Sequence, residues 1–288
     1  MTSDEHITHE RTYRRKLIEG MTYEVIPMKS VEKAIIDLPP ASPVSVTCSP
    51  VKGIEATMEL TDRIRNLGHD PVPHIAARLV ESSEHVSQIA KWLRTEGYET
   101  LYLIGGDAPH PAGPYDQAFT FLRDLLDADP GLSTVGVGSY PDGHALIETP
   151  VLREVLLKKQ ELLAEAGLNG YASTQMCFDP TTITNWLQGE RDDGFTLPIH
   201  LGIPGVINQA KLLSMGVRLG IGASLRYLRK NRASVSRMLV PGGYDPNQLL
   251  EPLGPDLERL GVEGLHCFTF NQVESTRMWA EASVEDLA

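Results

Sequence analysis

Eight short apolar runs recur at near-regular intervals along the chain, and this spacing constrains its fold more than any other feature. The first four are Tyr23-Glu24-Val25-Ile26-Pro27, Val44-Ser45-Val46-Thr47, Val72-Pro73-His74-Ile75-Ala76 and Leu101-Tyr102-Leu103-Ile104-Gly105-Gly106-Asp107. The second four are Thr134–Tyr140, Tyr171–Met176, Ile199–Ile203 and Leu265–Phe270. Helix-like segments separate most of them. Strands alternating with helices over 288 residues predict an α/β protein of the (β/α)8 TIM-barrel class. Such barrels carry their active sites at the C-terminal ends of the strands, so the fold also says where to look for chemistry.

Residues 1–20 read as a helical or loose N-terminal arm, and residues 21–288 as one barrel domain with no composition break. Helical spacing is found in Gly53–Leu67, Glu84–Glu96 and Pro114–Leu126. Thr149-Pro150 and Asp179-Pro180 read as N-caps followed by proline at the first helical position, opening helices that run to Gly167 and through Leu187. A last helix starts near Asn271. Between strands seven and eight the chain is longer than one βα unit needs, and extra helices are expected near 208–215, 218–230 and 246–260.

A net charge of −12 argues against a nucleic-acid partner, which would select clustered Lys and Arg. No apolar stretch is long enough to span a bilayer, and the charged first twenty residues lack the apolar core of a signal peptide. Cys48, Cys177 and Cys267 fall in or beside strands and form no CxxC, as expected for buried thiols in a reducing, cytoplasmic setting. The nucleotide-binding patterns GxxxxGK[ST] and GxGxxG are both missing, so a dinucleotide would not use a Rossmann domain.

Several strand residues are unusual for a barrel. Glu24 lies inside an apolar run, where an unpaired carboxylate is costly. Burial would raise its pKa and suit it to general-acid work; the alternatives are an ion pair inside the barrel or a residue facing a helix. Asp107 ends strand four after two glycines, which let a ligand approach the backbone or simply make a turn. Gln175 on strand six carries donors and an acceptor that suit a pteridine edge, or a structural hydrogen bond. His74, His144, His200 and His266 also map to strands or strand ends. Their spacing matches no ligand signature, so no metal is expected. No lysine marks a strand end, which argues against Schiff-base chemistry.

Taken together, these motifs resemble the methylenetetrahydrofolate reductase family. The resemblance rests on Tyr23-Glu24-Val25-Ile26-Pro27, Pro73-His74, Gly105-Gly106-Asp107 and Tyr140-Pro141-Asp142-Gly143-His144. It continues through Ala166-Gly167-Leu168-Asn169, Thr174-Gln175-Met176-Cys177-Phe178-Asp179 and Leu265-His266-Cys267-Phe268-Thr269-Phe270-Asn271, in order over residues 22–280. It implies reduction of 5,10-methylenetetrahydrofolate to 5-methyltetrahydrofolate with NAD(P)H as hydride source. Glu24 would be the general acid, and Asp107 would bias the electrostatics near pterin and hydride donor. Gln175, Thr47 and Phe270 would bind the folate. His74, Gly106, Tyr115, Tyr140, His144 and Lys159 would line the cofactor site. A homo-oligomer is common for such barrels.

The resemblance also implies FAD, and here the chain departs from the pattern. Gly105 stands where the family has an arginine. The segment aligned with the family's basic residues is Glu161-Leu162-Leu163, with Lys158-Lys159 a turn earlier. A pyrophosphate needs cations or helix N-termini. Either FAD is held by a shifted set using Lys158 or Lys159, or NAD(P)H passes hydride directly to the folate; the second is preferred. The competing functions are methyl transfer from methyltetrahydrofolate, a metal-dependent barrel hydrolase, and folate binding without turnover.

Overall fold

The computed structural model describes residues 3–208, 212, 239–240 and 243–288. Eight parallel strands close into a barrel: β1 (Thr22–Val25), β2 (Pro43–Val46), β3 (Asp70–Ala76), β4 (Thr100–Ile104), β5 (Thr134–Ser139), β6 (Asn169–Thr174), β7 (Ile199–Pro204) and β10 (Val262–Phe268). They run around the barrel in chain order, and β10 closes it against β1 by pairing Thr22 with His266 and Glu24 with Phe268. The expected (β/α)8 class is the observed one. An antiparallel hairpin of β8 (Leu239–Val240) and β9 (Gly243–Tyr244) precedes the last unit and was not anticipated.

The helices are α1 (Ser3–Glu19), α2 (Val31–Ile36), α3 (Gly53–Asn66), α4 (Ser83–Glu96), α5 (Ala118–Asp127), α6 (Thr149–Glu165), α7 (Pro180–Asp192), α8 (Asn247–Leu257) and α9 (Val273–Asp286). The first segment is helical and packed: Leu17 and Ile18 join the core, and Tyr13 donates to the Val262 carbonyl at 2.8 Å. Of the helices expected between strands seven and eight, the third is α8; those near 208–215 and 218–230 lie outside the described residues. Asp179 caps α7, accepting from Thr181 N at 3.1 Å, as its Asp-Pro pair implies. Thr149 is instead the first residue of α6, and Glu148 occupies the cap without a side-chain bond. Helix α5 starts at Ala118, four residues later than its spacing suggests. The preceding loop is tied down by Arg78, whose guanidinium donates to the carbonyls of Ala108, Pro109 and Asp116. Helix α2, only six residues long, carried too little periodicity to be found.

Alternation along the strands divides the barrel into two environments. Val25, Val44, Val46, Ile75, Leu101, Leu103, Val135, Val137, Leu201, Ile203 and Leu265 are buried in the apolar layer beneath the helices. The opposite parity holds Glu24, Ser45, His74, Tyr102, Ser173 and His266, also buried, so the barrel's interior is polar and aromatic. Rings need room, and glycines supply it. A Cβ at Gly136 would lie 2.3 Å from Tyr171 Cζ and 2.6 Å from Tyr102 Cδ2. One at Gly264 would lie 2.8 Å from His200 Cδ2, and one at Gly202 would lie 2.8 Å from Phe268 Cε2. The glycines that weaken β5 and β7 as strand sequences are therefore sockets for interior rings.

Gly136→Ala is expected to cost about 1–3 kcal/mol through overpacking. Urea denaturation should show the loss, and Tyr171→Leu in the same chain should recover part of it.

Candidate functional site

Glu24 is held from both sides. Its side chain shares a hydrogen bond with His266 Nε2 at 3.0 Å, and the two side chains are only 8% and 4% exposed. Its backbone carbonyl accepts from Thr269 Oγ1. Beyond it, Asn271 brackets Ile26: Oδ1 accepts from Ile26 N and Nδ2 donates to Ile26 O, each at 2.9 Å. Phe270 and Asn271 adopt left-handed backbone, with φ of 50° and 60°. For Phe that conformation is strained and is retained here by the surrounding bonds. The end of β10 thus fixes the end of β1, and the alternative read from sequence, a paired carboxylate inside the barrel, is the arrangement found.

Around this pair lies a compact cluster. His74 shares a hydrogen bond with Ser45 Oγ. Its ring centroid is 4.5 Å from that of Tyr102 and 5.9 Å from that of His266. Tyr171 stacks on His200 at 4.1 Å. Burial, then the neighbouring His266, hold His74 well below the usual imidazole range. The same two causes lower His200 to about 4. Burial and the charges of Tyr140, Tyr171 and Glu24 push the Tyr102 phenol up. Glu24, His74 and His266 each offer a ligand atom within 4.8 Å of the others. No spacing in the chain marks these three as a ligand set; barrel closure is what brings them together. In the structure their facing atoms are occupied by hydrogen bonds among themselves and to Ser45.

The remaining residues expected at the site gather at the C-terminal rim in part. Thr47 and Gln175 directly follow β2 and β6. Among the described residues Thr47 Oγ1 is buried without a hydrogen-bond partner, as is Ser173 Oγ on the interior face. Gln175 is half-buried, and its Oε1 accepts from Met176 N at 2.8 Å, leaving Nε2 without a partner among the described residues. Asp107 is exposed beyond β4, and its charge adds to burial in raising the Tyr140 phenol. Tyr140 meets His144 edge-on at 5.2 Å. Gly106, at φ 92°, passes so close to β3 that a Cβ would lie 2.9 Å from Ala76 Cβ. Phe270 is buried in the closing turn. The sequence reading missed Ser45, Tyr102 and Tyr171 and gave His200 and His266 no role. The signal available was interior parity: each lies an even number of residues from a glycine or polar residue that faces the same lumen.

Two expected residues stand apart. Tyr115 is buried, donates to Asp124 Oδ2 at 2.9 Å and packs edge-on against Phe121. Lys159 is on the buried face of α6 with Leu156 and Leu163, where burial lowers it to about 8. Neither has a contact with the Glu24 cluster among the described residues. This bears on FAD. Gly105 offers no side chain, Arg78 beside it is committed to three loop carbonyls, and Lys158 pairs with Glu154 at 2.5 Å. Among the described residues, then, neither the Gly105 position nor Arg78 presents a free cation to a pyrophosphate, and Lys158 is engaged at the surface.

Among the described residues no helix is long and apolar enough to cross a membrane. The three cysteines are buried thiols, and Cys177 Sγ donates to Asp142 Oδ1 at 3.2 Å.

No protein-family model matches the chain. Among solved structures it is similar to an uncharacterized protein from Clostridium thermocellum that binds two copies of 5-methyl-5,6,7,8-tetrahydrofolic acid. The TM-score is 0.63 at 13% identity, covering 96% of this chain and 98% of the other. A protein assigned as a deoxyribose-phosphate aldolase from Toxoplasma gondii, in its apo form, aligns with a TM-score of 0.44 at 12% identity over 95% and 98%. The first likeness shows a shared barrel fold.

His200 predicts a pH dependence. Its pKa is near 4 in the folded chain and near 6.5 unfolded, so below 6.5 the unfolded chain takes up a proton that the folded chain refuses. Stability is full above about 6.5 and falls toward 4, by roughly 3 kcal/mol from this group. Urea midpoints at neutral and acid pH should differ less in His200→Gln than in the parent.

Proposed function

We propose that the barrel binds a reduced folate at its C-terminal rim and reduces the 5,10-methylene form to the 5-methyl form, with NAD(P)H as hydride donor. The observation that carries this reading is the buried Glu24–His266 pair beneath a rim where, among the described residues, Thr47 Oγ1 is buried without a partner and the half-buried Gln175 leaves its Nε2 unpaired. A tetrahydropterin has the donors and acceptors to satisfy such groups, and unpaired buried polar atoms give a site its selectivity. Binding of 5-methyltetrahydrofolate by the similar Clostridium thermocellum protein supports the same ligand class.

The chemistry asked of the chain is one proton at one place. Glu24 donates to N10 of the methylene bridge, the C–N10 bond opens to an iminium at N5, and hydride from the nicotinamide reaches the methylene carbon. The products are the methyl form, NAD(P)+ and a Glu24 carboxylate. General acid catalysis of this kind contributes about 10²–10⁴-fold. Asp107, exposed at the rim, places negative charge where it favours the cationic iminium. Direct transfer from NAD(P)H is preferred because Gly105 carries no cation, Arg78 is bonded to loop carbonyls and Lys158 pairs with Glu154.

One observation favours a second reading. His266 already occupies Glu24, which suits a barrel that holds methyltetrahydrofolate and passes its methyl group to an acceptor, or holds it without turnover. Methyl transfer would proceed with no NAD(P)H oxidation.

Two outcomes are expected. Purified protein oxidises NADH or NADPH only when methylenetetrahydrofolate is added, and its spectrum lacks flavin bands; a stoichiometric flavin would end the direct-transfer reading. Glu24→Gln lowers kcat by about a hundredfold or more while the Kd for methyltetrahydrofolate, measured by calorimetry, stays within a few-fold.

A further inference from the structure

Proton donation from Glu24 raises a question of supply. Once a substrate covers the rim, the carboxylate has no route to solvent on that side, yet each cycle must return one proton to it. The opposite end of the barrel offers one. A cavity of about 320 Å³ opens at the N-terminal ends of the strands, lined by Thr22, Thr100, Thr134, Tyr171, His200 and His266 among others. It far exceeds the ~10–15 Å³ a single water needs, and its hydroxyls and rings give waters partners. His266 belongs to both places: it lines this cavity, and its Nε2 bonds Glu24 Oε2 at 3.0 Å. Its Nδ1 has no partner among the described residues. Imidazole is the side chain able to accept a proton on one nitrogen while releasing another from the second.

We propose that His266 is a proton relay connecting solvent in the N-terminal cavity to Glu24, so that the barrel takes substrate at one end and protons at the other. The proposal rests on the reading of Glu24 as proton donor. In each cycle Glu24 loses a proton to the substrate. The carboxylate then takes the Nε2 proton of His266, and His266 gains one on Nδ1 from cavity water, which draws it from bulk solvent. A tautomer shift or ring rotation resets the imidazole. Atoms and charge balance with the one proton the reduction consumes. His266 is thus a positioning and relay residue that acts through Glu24. The titratable groups around it are Glu24 on β1, His74 on β3, Tyr102 on β4, Tyr171 on β6, His200 on β7, and Glu263 and Cys267 on its own strand.

The test separates supply from donation. In His266→Gln, which keeps a hydrogen bond to Glu24 without carrying protons, steady-state oxidation of NAD(P)H should fall by about a hundredfold. The first turnover of the preformed complex should stay within about threefold of the parent, and added imidazole should restore the later turnovers. Thr134→Leu and Thr100→Leu, which narrow the cavity far from the rim, should slow steady state in the same way. A second readout needs no turnover: solvent exchange of the His266 ring proton, followed by NMR, should slow in both leucine variants. Unchanged steady-state rates in His266→Gln, exchange indifferent to the cavity, or a stoichiometric divalent ion held by Glu24, His74 and His266 in the purified protein would each overturn the proposal. If the parent oxidises no NAD(P)H yet ring-proton exchange follows the cavity, the reduction falls and the proton path stands.

Discussion

A single hydrogen bond between β1 and β10 organises this barrel. Separately, Glu24 and His266 are groups that a protein interior rejects; a carboxylate left alone there costs several kcal/mol. Together they satisfy each other, and the pairing of the two strands places them in reach. The clamp formed by Thr269 and Asn271 then keeps the strand ends from separating. The polar lumen, the aromatic lining and the site at the rim follow from closing the barrel at this seam.

The interior is unusual in its economy of space. Most strand residues facing the helices are aliphatic, while those facing the lumen include polar side chains, rings and the glycines that make room for the rings. Tyr171 occupies the space over Gly136, and His200 the space over Gly264. A lumen filled this way is rigid where the rings interlock and polar where it meets solvent. That combination suits a site that must hold a flat, hydrogen-bonding ligand above groups able to move a proton.

The architecture was legible in the chain because outward-facing strand residues and helix faces both follow strict periods, and proline and capping residues punctuated them. Glu24, Asp107 and Gln175 were legible because each interrupts such a pattern. What escaped was pairwise and distant. Glu24 and His266 are separated by 242 residues, and their partnership exists only through closure. Tyr102 and Tyr171 read as ordinary apolar strand residues, since a ring facing a lumen and a ring facing a helix give the same letter. Tyr115 and Lys159 entered only through the family resemblance; in the structure Tyr115 packs against α5 and Lys159 is buried on α6.

The seam has a consequence for how the molecule comes into being. Its two halves belong to the first and last barrel strands, so a chain still emerging from the ribosome carries Glu24 long before its partner exists. Until then β1 has an open edge and Glu24 lacks its partner. The Glu24–His266 contact is therefore among the last made, and a fragment ending before β10 is expected to lack it even where its earlier strands have paired.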